Sequence, residues 1–443
     1  MQSRFFLTGL TLLAACSAPL SSYTTQVEEW STLEIGFLQS PQTTSQAAEG
    51  SFEALFQRAR FQNPGLFASW QKWRAAIEVI PQAGGLPDPK LQVGLFLSSL
   101  ETKEGSTNNR LSLQQAFPWP GTLNLAAQAA ALQAEAARED YLAKELDLRA
   151  MLRKLCAENS WLSSSIQFTQ AHLDLLSEME SVVRKRWEDG AATHGSLLKI
   201  QIELALLEES LASLKDRQLP LLAEMNTLLN RAPAHVVEWP KDSILPTFIF
   251  DSTQLLRSLE QNNPSLRALD FLVQSHQVNV EVAKLGLLPN LSIGVDWTGI
   301  QDNGSGSDSG KDAFALGVGI ELPIQQHSRK SRIRKATAIL AATRSQKIQT
   351  VNSFRSKLEA KFFQLRDAER GYDLHKNGLI PKGHQALEST MVSYQAGNAS
   401  FLDFLDTQRT LLNSELAVLR AEADRTIALA EISALSGTKF LDQ

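Results

Sequence analysis

The chain is written twice, and that duplication restricts it to folds with two equivalent halves. Asn63–Leu66 ("NPGL") returns as Asn263–Leu266 ("NPSL"), 200 positions later. At the same spacing Asp88–Leu95 ("DPKLQVGL") matches Leu288–Val295 ("LPNLSIGV"), aligning Pro89 with Pro289 and Gly94 with Gly294. "AFPWPG" (116–121) meets "ELPIQQ" (321–326) at an offset of 205. "WEDGAATHGSLLKIQ" from Trp187 meets "YQAGNASFLDFLDTQ" from Tyr394 at an offset of 207, pairing Gly190 with Gly397. The upward drift is what small loop insertions produce. The repeats are placed at 51–240 and 241–443.

Each half reads as helix, strand pair, very long helix, turn, helix. Strands are expected over about 89–100, 110–118, 288–301 and 312–324, where apolar residues such as Leu91, Val93, Leu95 and Leu97 alternate with small or polar ones. Polar stretches "ETKEGSTNN" and "DNGSGSDSGK" connect them as hairpins. Each run has roughly the 9–11 residues of a tilted membrane strand. A soluble sheet with one face on a core is the alternative. Four strands cannot close a membrane barrel, since the smallest kind uses about eight, so membrane strands require an oligomer. Three copies supply twelve. From Thr122 to Arg184 there is neither proline nor glycine, about 95 Å of helix at 1.5 Å per residue. A second long stretch runs from about Ser328 toward Tyr394, and partner helices are expected over 196–230 and 400–436. Pro220 and Pro381 are expected to bend or break their helices.

The N-terminus carries Arg4, an apolar run from Phe5 to Leu13, and then "LAAC" ending at Cys16. This reads as a signal peptide over 1–15, with Cys16 as the lipidated first residue of the mature chain, followed by an extended linker to residue 50. An ordinary signal peptide with an incidental cysteine is the alternative. Cys156 is the other of two cysteines, so no internal disulfide is expected in the mature chain. A net charge of −5 with dispersed basic residues gives no sign of a nucleic-acid partner. None of the seven histidines has metal-ligand spacing, and no phosphate loop or nucleophile elbow is present, so neither enzyme activity nor a cofactor is expected.

The duplicated strand-pair and hairpin layout, "FPWPG", and "YQAGNASFLDFLDTQ" together resemble the TolC family of outer-membrane efflux ducts, over nearly all of 51–440. The resemblance implies a mainly α fold with a small β part. Duplicated long-helix hairpins form a trimeric α-barrel in the periplasm, and four strands per chain contribute to a 12-stranded membrane β-barrel. It implies a lipid-anchored outer-membrane location and a passive duct in a tripartite pump, partnered by a periplasmic adaptor and an inner-membrane pump. "FPWPG" and the preceding "DP" look most like the branch serving heavy-metal pumps. A duct for ATP-driven protein secretion, and a lipid-anchored periplasmic coiled-coil scaffold, are the competing readings.

By the same resemblance Gly190, Gly195, Gly397, Asn398 and Ser400 lie at hairpin tips that meet the adaptor. Asp403, Asp406, Tyr394 and Ser196 lie at the periplasmic entrance. Asp403 and Asp406 are three apart and share a helix face, so a trimer stacks two rings of carboxylates that favour cations. "SFLD" is also a capping box, which gives Asp403 a purely local role. Asp406 lies beyond the first turn, where capping explains little. Ser196 stands where some relatives carry an acid, so Tyr394 has only a neutral hydroxyl as a potential partner there. The charge is expected on the second tip alone.

Overall fold

The computed structural model describes residues 20–38, 50–102, 105–241, 245, 252–302 and 310–437. The signal peptide and Cys16 lie outside the described residues. The chain divides into two compact units, each drawing on both sequence repeats: residues 1–33, 71–139 and 268–348 form one, and 34–70, 140–267 and 349–443 the other.

The first unit is organised around one antiparallel sheet of β1 (Lys90–Thr102), β2 (Gly105–Phe117), β3 (Asn290–Gln301) and β4 (Ala313–Glu321), in that order. The register aligns Val93, Leu111, Trp297 and Phe314 in one row and Leu91, Leu113, Val295 and Leu316 in the next. Among the described residues nothing covers these rows: Val93, Phe314 and Leu316 are 68, 76 and 75% exposed. The opposite face is polar and bonded within itself, with Arg110 paired to Asp296 at 2.8 Å and Gln114 donating to Ser292 at 3.0 Å. β2 begins at Gly105 rather than near 110, so much of "ETKEGSTNN" is strand. Thr107 continues the ladder to both Leu100 and Ile300 despite its polar surroundings.

The extended linker expected before residue 50 is corrected in part. Leu20–Leu38 is a helix, α1. Tyr23, Gln26, Trp30 and Leu33 recur at alternating three- and four-residue steps, the spacing of one helix face. Gln26 and Trp30 are buried; Gln26 donates to the Ala131 carbonyl at 3.3 Å, and the Arg74 guanidinium lies 4.9 Å from the Trp30 ring. Residues 39–49 lie outside the described residues. Beside the sheet, α3 (Pro64–Gly84), the start of α4 (Thr122–Glu188), α8 (Pro264–Leu285) and the start of α9 (Gln326–Asp373) complete the unit. Buried Ala127, Ala129 and Ala134 let α8 come close enough for Ser275 to donate to the Ala129 carbonyl at 2.8 Å.

The second unit is helical. It contains α2 (Phe52–Gln62), the rest of α4, α5 (His194–Asp216), α6 (Gln218–Leu228), α7 (Ser252–Asn262), the rest of α9, α10 (Ile380–Gln395) and α11 (Phe401–Ser436). The duplicated "NPxL" signature has the same task in both halves. Asn63 accepts from the Leu66 amide at 2.9 Å and donates to the Leu228 carbonyl at 3.1 Å. Asn263 accepts from the Leu266 amide at 3.1 Å and donates to the Leu435 carbonyl at 2.9 Å. One side chain thus caps a helix start and receives a hairpin's far end, which neither proline-first helix could do with its own N1 group.

The prolines act as expected. α5 stops at Asp216, and Pro220 sits in the first turn of α6, where a missing N–H costs little. Pro381 opens α10 directly after a π-helical segment, Leu374–Leu379, in which the Ile380 amide reaches back five residues to His375.

Candidate functional site

The two hairpin turns agree bond for bond. After α4, the Gly190 amide donates to the Trp187 carbonyl and the Ala191 amide to Arg186, at 3.0 and 2.7 Å. After α10, Gly397 donates to Tyr394 and Asn398 to Ser393, at 3.0 and 2.8 Å. Both are Schellman closures, and each needs a left-handed residue, supplied by Gly190 (φ +74°) and Gly397 (φ +82°).

The next helix starts are capped differently. At the second tip Ser400 accepts from the Leu402 amide at 3.1 Å, while Asp403 accepts from the Ser400 amide at 3.3 Å, a reciprocal capping box. At the first tip Thr193 caps α5 by accepting from the Ser196 amide at 3.2 Å. Ser196 replaces the acid there, and its hydroxyl lies 3.0 Å from the Thr193 hydroxyl. The Ser196 hydroxyl is therefore engaged locally and is not brought to Tyr394. Gly195, in the first turn of α5, is exposed, as are Asn398 and Ser400.

Tyr394 is buried in the core that joins the tips, among Val183, Leu197, Ile200, Phe401 and Phe404. Its hydroxyl has no hydrogen-bond partner among the described residues. Burial raises the hydroxyl pKa, and the neighbouring Arg186 guanidinium opposes that shift. Arg186 lies 4.7 Å from the ring centroid and donates to the Tyr394 carbonyl.

Asp403 and Asp406 are both exposed. One turn beyond Asp406, Arg409 is held by Glu203 of α5 in a two-pronged pair at 3.2 and 2.5 Å. The bond to Glu203 raises the Arg409 pKa, and nearby Asp406 adds a smaller rise.

The expectation that only the second tip is charged is corrected. The first tip carries Glu188 and Asp189 before its glycine, where the second has Gln395 and Ala396. Both acids are exposed and form no ion pair among the described residues. At a helix C-terminus they oppose the dipole, so helix stability does not explain them.

A buried polar seam behind the tips has no obvious sequence signature. His172 of α4 lies between Gln408 (2.8 Å from Nδ1) and Glu415 (2.6 Å from Nε2), both on α11. All three are buried. The partners are far apart in sequence and become visible only once the hairpins pack.

The described geometry presents a sheet with an exposed apolar face in one unit and paired acidic turns in the other. The outer membrane efflux protein family matches residues 255–438. The chain is 24% identical to the pyoverdine export outer membrane protein OpmQ of Pseudomonas putida, over 83% of this chain and 82% of that one. It is 21% identical to the cobalt-zinc-cadmium resistance protein CzcC of Cupriavidus metallidurans, over 83 and 85%. The solved outer-membrane channel OprN superposes with a TM-score of 0.75 at 18% identity, covering 91% of each chain.

The second half of the chain is thus similar to the outer membrane efflux protein family. The chain's fold is that of solved TolC-like channels, which have α-barrel and β-barrel parts, and that family is one of channel proteins. Among the described residues no helix is long and apolar enough to cross a membrane.

Proposed function

We propose that three copies of this chain form a passive duct through which a tripartite efflux pump moves its cargo from the periplasm to the exterior, with the hairpin tips as the entrance. The chain is the outer-membrane component of such a pump, working as a homotrimer with a periplasmic adaptor and an inner-membrane pump. The observation that carries the reading is the sheet: among the described residues, apolar rows run uncovered across all four strands, and both edges, β1 and β4, lack a neighbour. An open edge in hydrocarbon leaves backbone groups unpaired, and three sheets joined edge to edge remove every edge.

At the entrance Asp406 faces the passing solute and Asp403 combines a capping task with its charge. Glu188 and Asp189 add carboxylates from the first tip. Arg186 and Tyr394 hold the turns together, and the exposed turn residues Gly190, Gly195, Gly397, Asn398 and Ser400 meet the adaptor. The cargo is a small molecule or metal ion; relatives named for pyoverdine and for cobalt, zinc and cadmium are about equally distant. A lipid on Cys16 ties the mature N-terminus to the membrane, and the chain performs no catalysis of its own.

Native mass in mild detergent tests this reading. A complex of three chains is expected. A stable monomer contradicts it.

A further inference from the structure

The start of α9 carries a charge pattern that the duct role does not explain. Arg329, Lys330, Arg332, Arg334 and Lys335 fall within seven positions at its N-terminal end. The helix has no acidic residue before Glu359. Arg329 lies in the first turn, where a cation opposes the helix dipole, and the other four follow in the next two turns. Only Arg329 is occupied, donating to the Gly286 carbonyl and lying 3.6 Å from Glu321. Lys330, Arg332, Arg334 and Lys335 are exposed and form no ion pair among the described residues.

The fold does not require them. At the same junction of the first repeat, 205 positions earlier, stand Asn124, Leu125, Ala127, Ala129 and Ala130. Their location is specific. β4 ends at Glu321, and Leu322 and Ile324 continue the exposed apolar surface, at 65 and 81%. Phe117, Leu291 and Ile320 share one row of the sheet, which places the two strand–helix junctions at one level. Trp119, just past Phe117, is half-buried there, the side chain favoured at a membrane–water boundary. The basic residues begin three positions into α9, within about 5–14 Å of its start along the axis. That is headgroup depth, on the helical side of the membrane.

We propose that this junction binds the phosphates of anionic phospholipid headgroups in the membrane leaflet facing the helices. Lys330 and Arg334 share one face of α9, and Arg332 and Lys335 another, about 150° away at 100° per residue. At most helix rotations one pair therefore points outward from a closed tube. Long basic side chains reach along apolar surface to place their charge among headgroups. The proposal rests on the sheet lying in the membrane.

The test uses the full-chain trimer, delipidated in neutral detergent and then mixed with cardiolipin, phosphatidylcholine or inorganic phosphate, with bound molecules counted by native mass spectrometry. Cardiolipin is expected to be retained at least tenfold more than phosphatidylcholine, with no retained phosphate. The K330Q/R332Q/R334Q/K335Q variant should lose that preference, whereas R344Q, an exposed cation farther down the helix, should keep it. Equal retention of the two lipids, an unchanged preference in the quadruple variant, or retention of phosphate alone would overturn the proposal. Insertion into phosphatidylcholine vesicles, read by protease protection of the strands, separates the two claims. If the trimer inserts without any cardiolipin preference, the lipid site fails and the duct stands; if it never inserts, both fail.

Discussion

The Arg186 guanidinium, in the last turn of α4, stacks 4.7 Å from the centroid of the Tyr394 ring and donates to that residue's own carbonyl. It also reaches the Gln395 carbonyl at 3.4 Å. A cation from the first repeat thus caps the exposed carbonyls that end α10 in the second, where the helix dipole is negative.

Arg186→Gln is expected to loosen the second tip more than the first. A charge-assisted hydrogen bond and a cation–π contact together are worth about 1–2 kcal/mol here. Hydrogen exchange should speed up about tenfold for the amides of residues 396–399, with those of 190–192 little changed. Equal rates in both proteins would mean that Arg186 holds nothing.

The two aspartates should separate by role. Asp403→Ala removes one arm of the capping box and should cost about 1 kcal/mol. Asp406→Ala, at an exposed site outside the cap, should fall within about 0.5 kcal/mol of the parent. Denaturant unfolding of the reconstituted trimer, compared between the two variants, checks the difference.

Tyr394→Phe should leave stability unchanged or slightly improved, because it removes a buried hydroxyl that has no partner among the described residues. The pH response follows from the raised pKa. The protonated hydroxyl contributes fully below its unfolded value near 10, and the contribution is lost as pH rises through the higher folded value. Protection of the tip amides, taken relative to their intrinsic exchange rate at each pH, should therefore fall above about pH 10 in the parent and not in Tyr394→Phe.

Gly190→Ala and Gly397→Ala should each cost about 1–2 kcal/mol from the left-handed backbone alone. At Gly190 a Cβ meets nothing within 4 Å, and at Gly397 only the Arg186 guanidinium, 3.8 Å away. Thermal unfolding of the two variants should accordingly shift by similar amounts. A much larger loss at either would point to a tertiary clash.

Much of this molecule is legible in its sequence because the chain states it twice. Asn63 and Asn263 predict a shared local structure before their carbonyl partners are known, and period-two alternation marks the strands. α1 escapes the same reading because Tyr23, Gln26, Trp30 and Leu33 are diluted by serine and threonine, which weakens the helical stripe. Glu188 and Asp189 are missed when the two tips are aligned only after their glycines. His172 is hidden for a different reason: its partners Gln408 and Glu415 are more than 200 residues away, and only packing of the hairpins brings them together. The engagement of Ser196 by Thr193 is likewise a matter of rotamers, which spacing does not encode.

The most direct test of the duct and its acidic entrance is the reversal potential of the purified trimer in a planar bilayer under a potassium chloride gradient. The account predicts conducting channels that prefer potassium over chloride, with the preference reduced in Asp406→Asn and reduced further when Glu188→Gln is added. Absence of channels, or a chloride preference that these substitutions leave untouched, would contradict it.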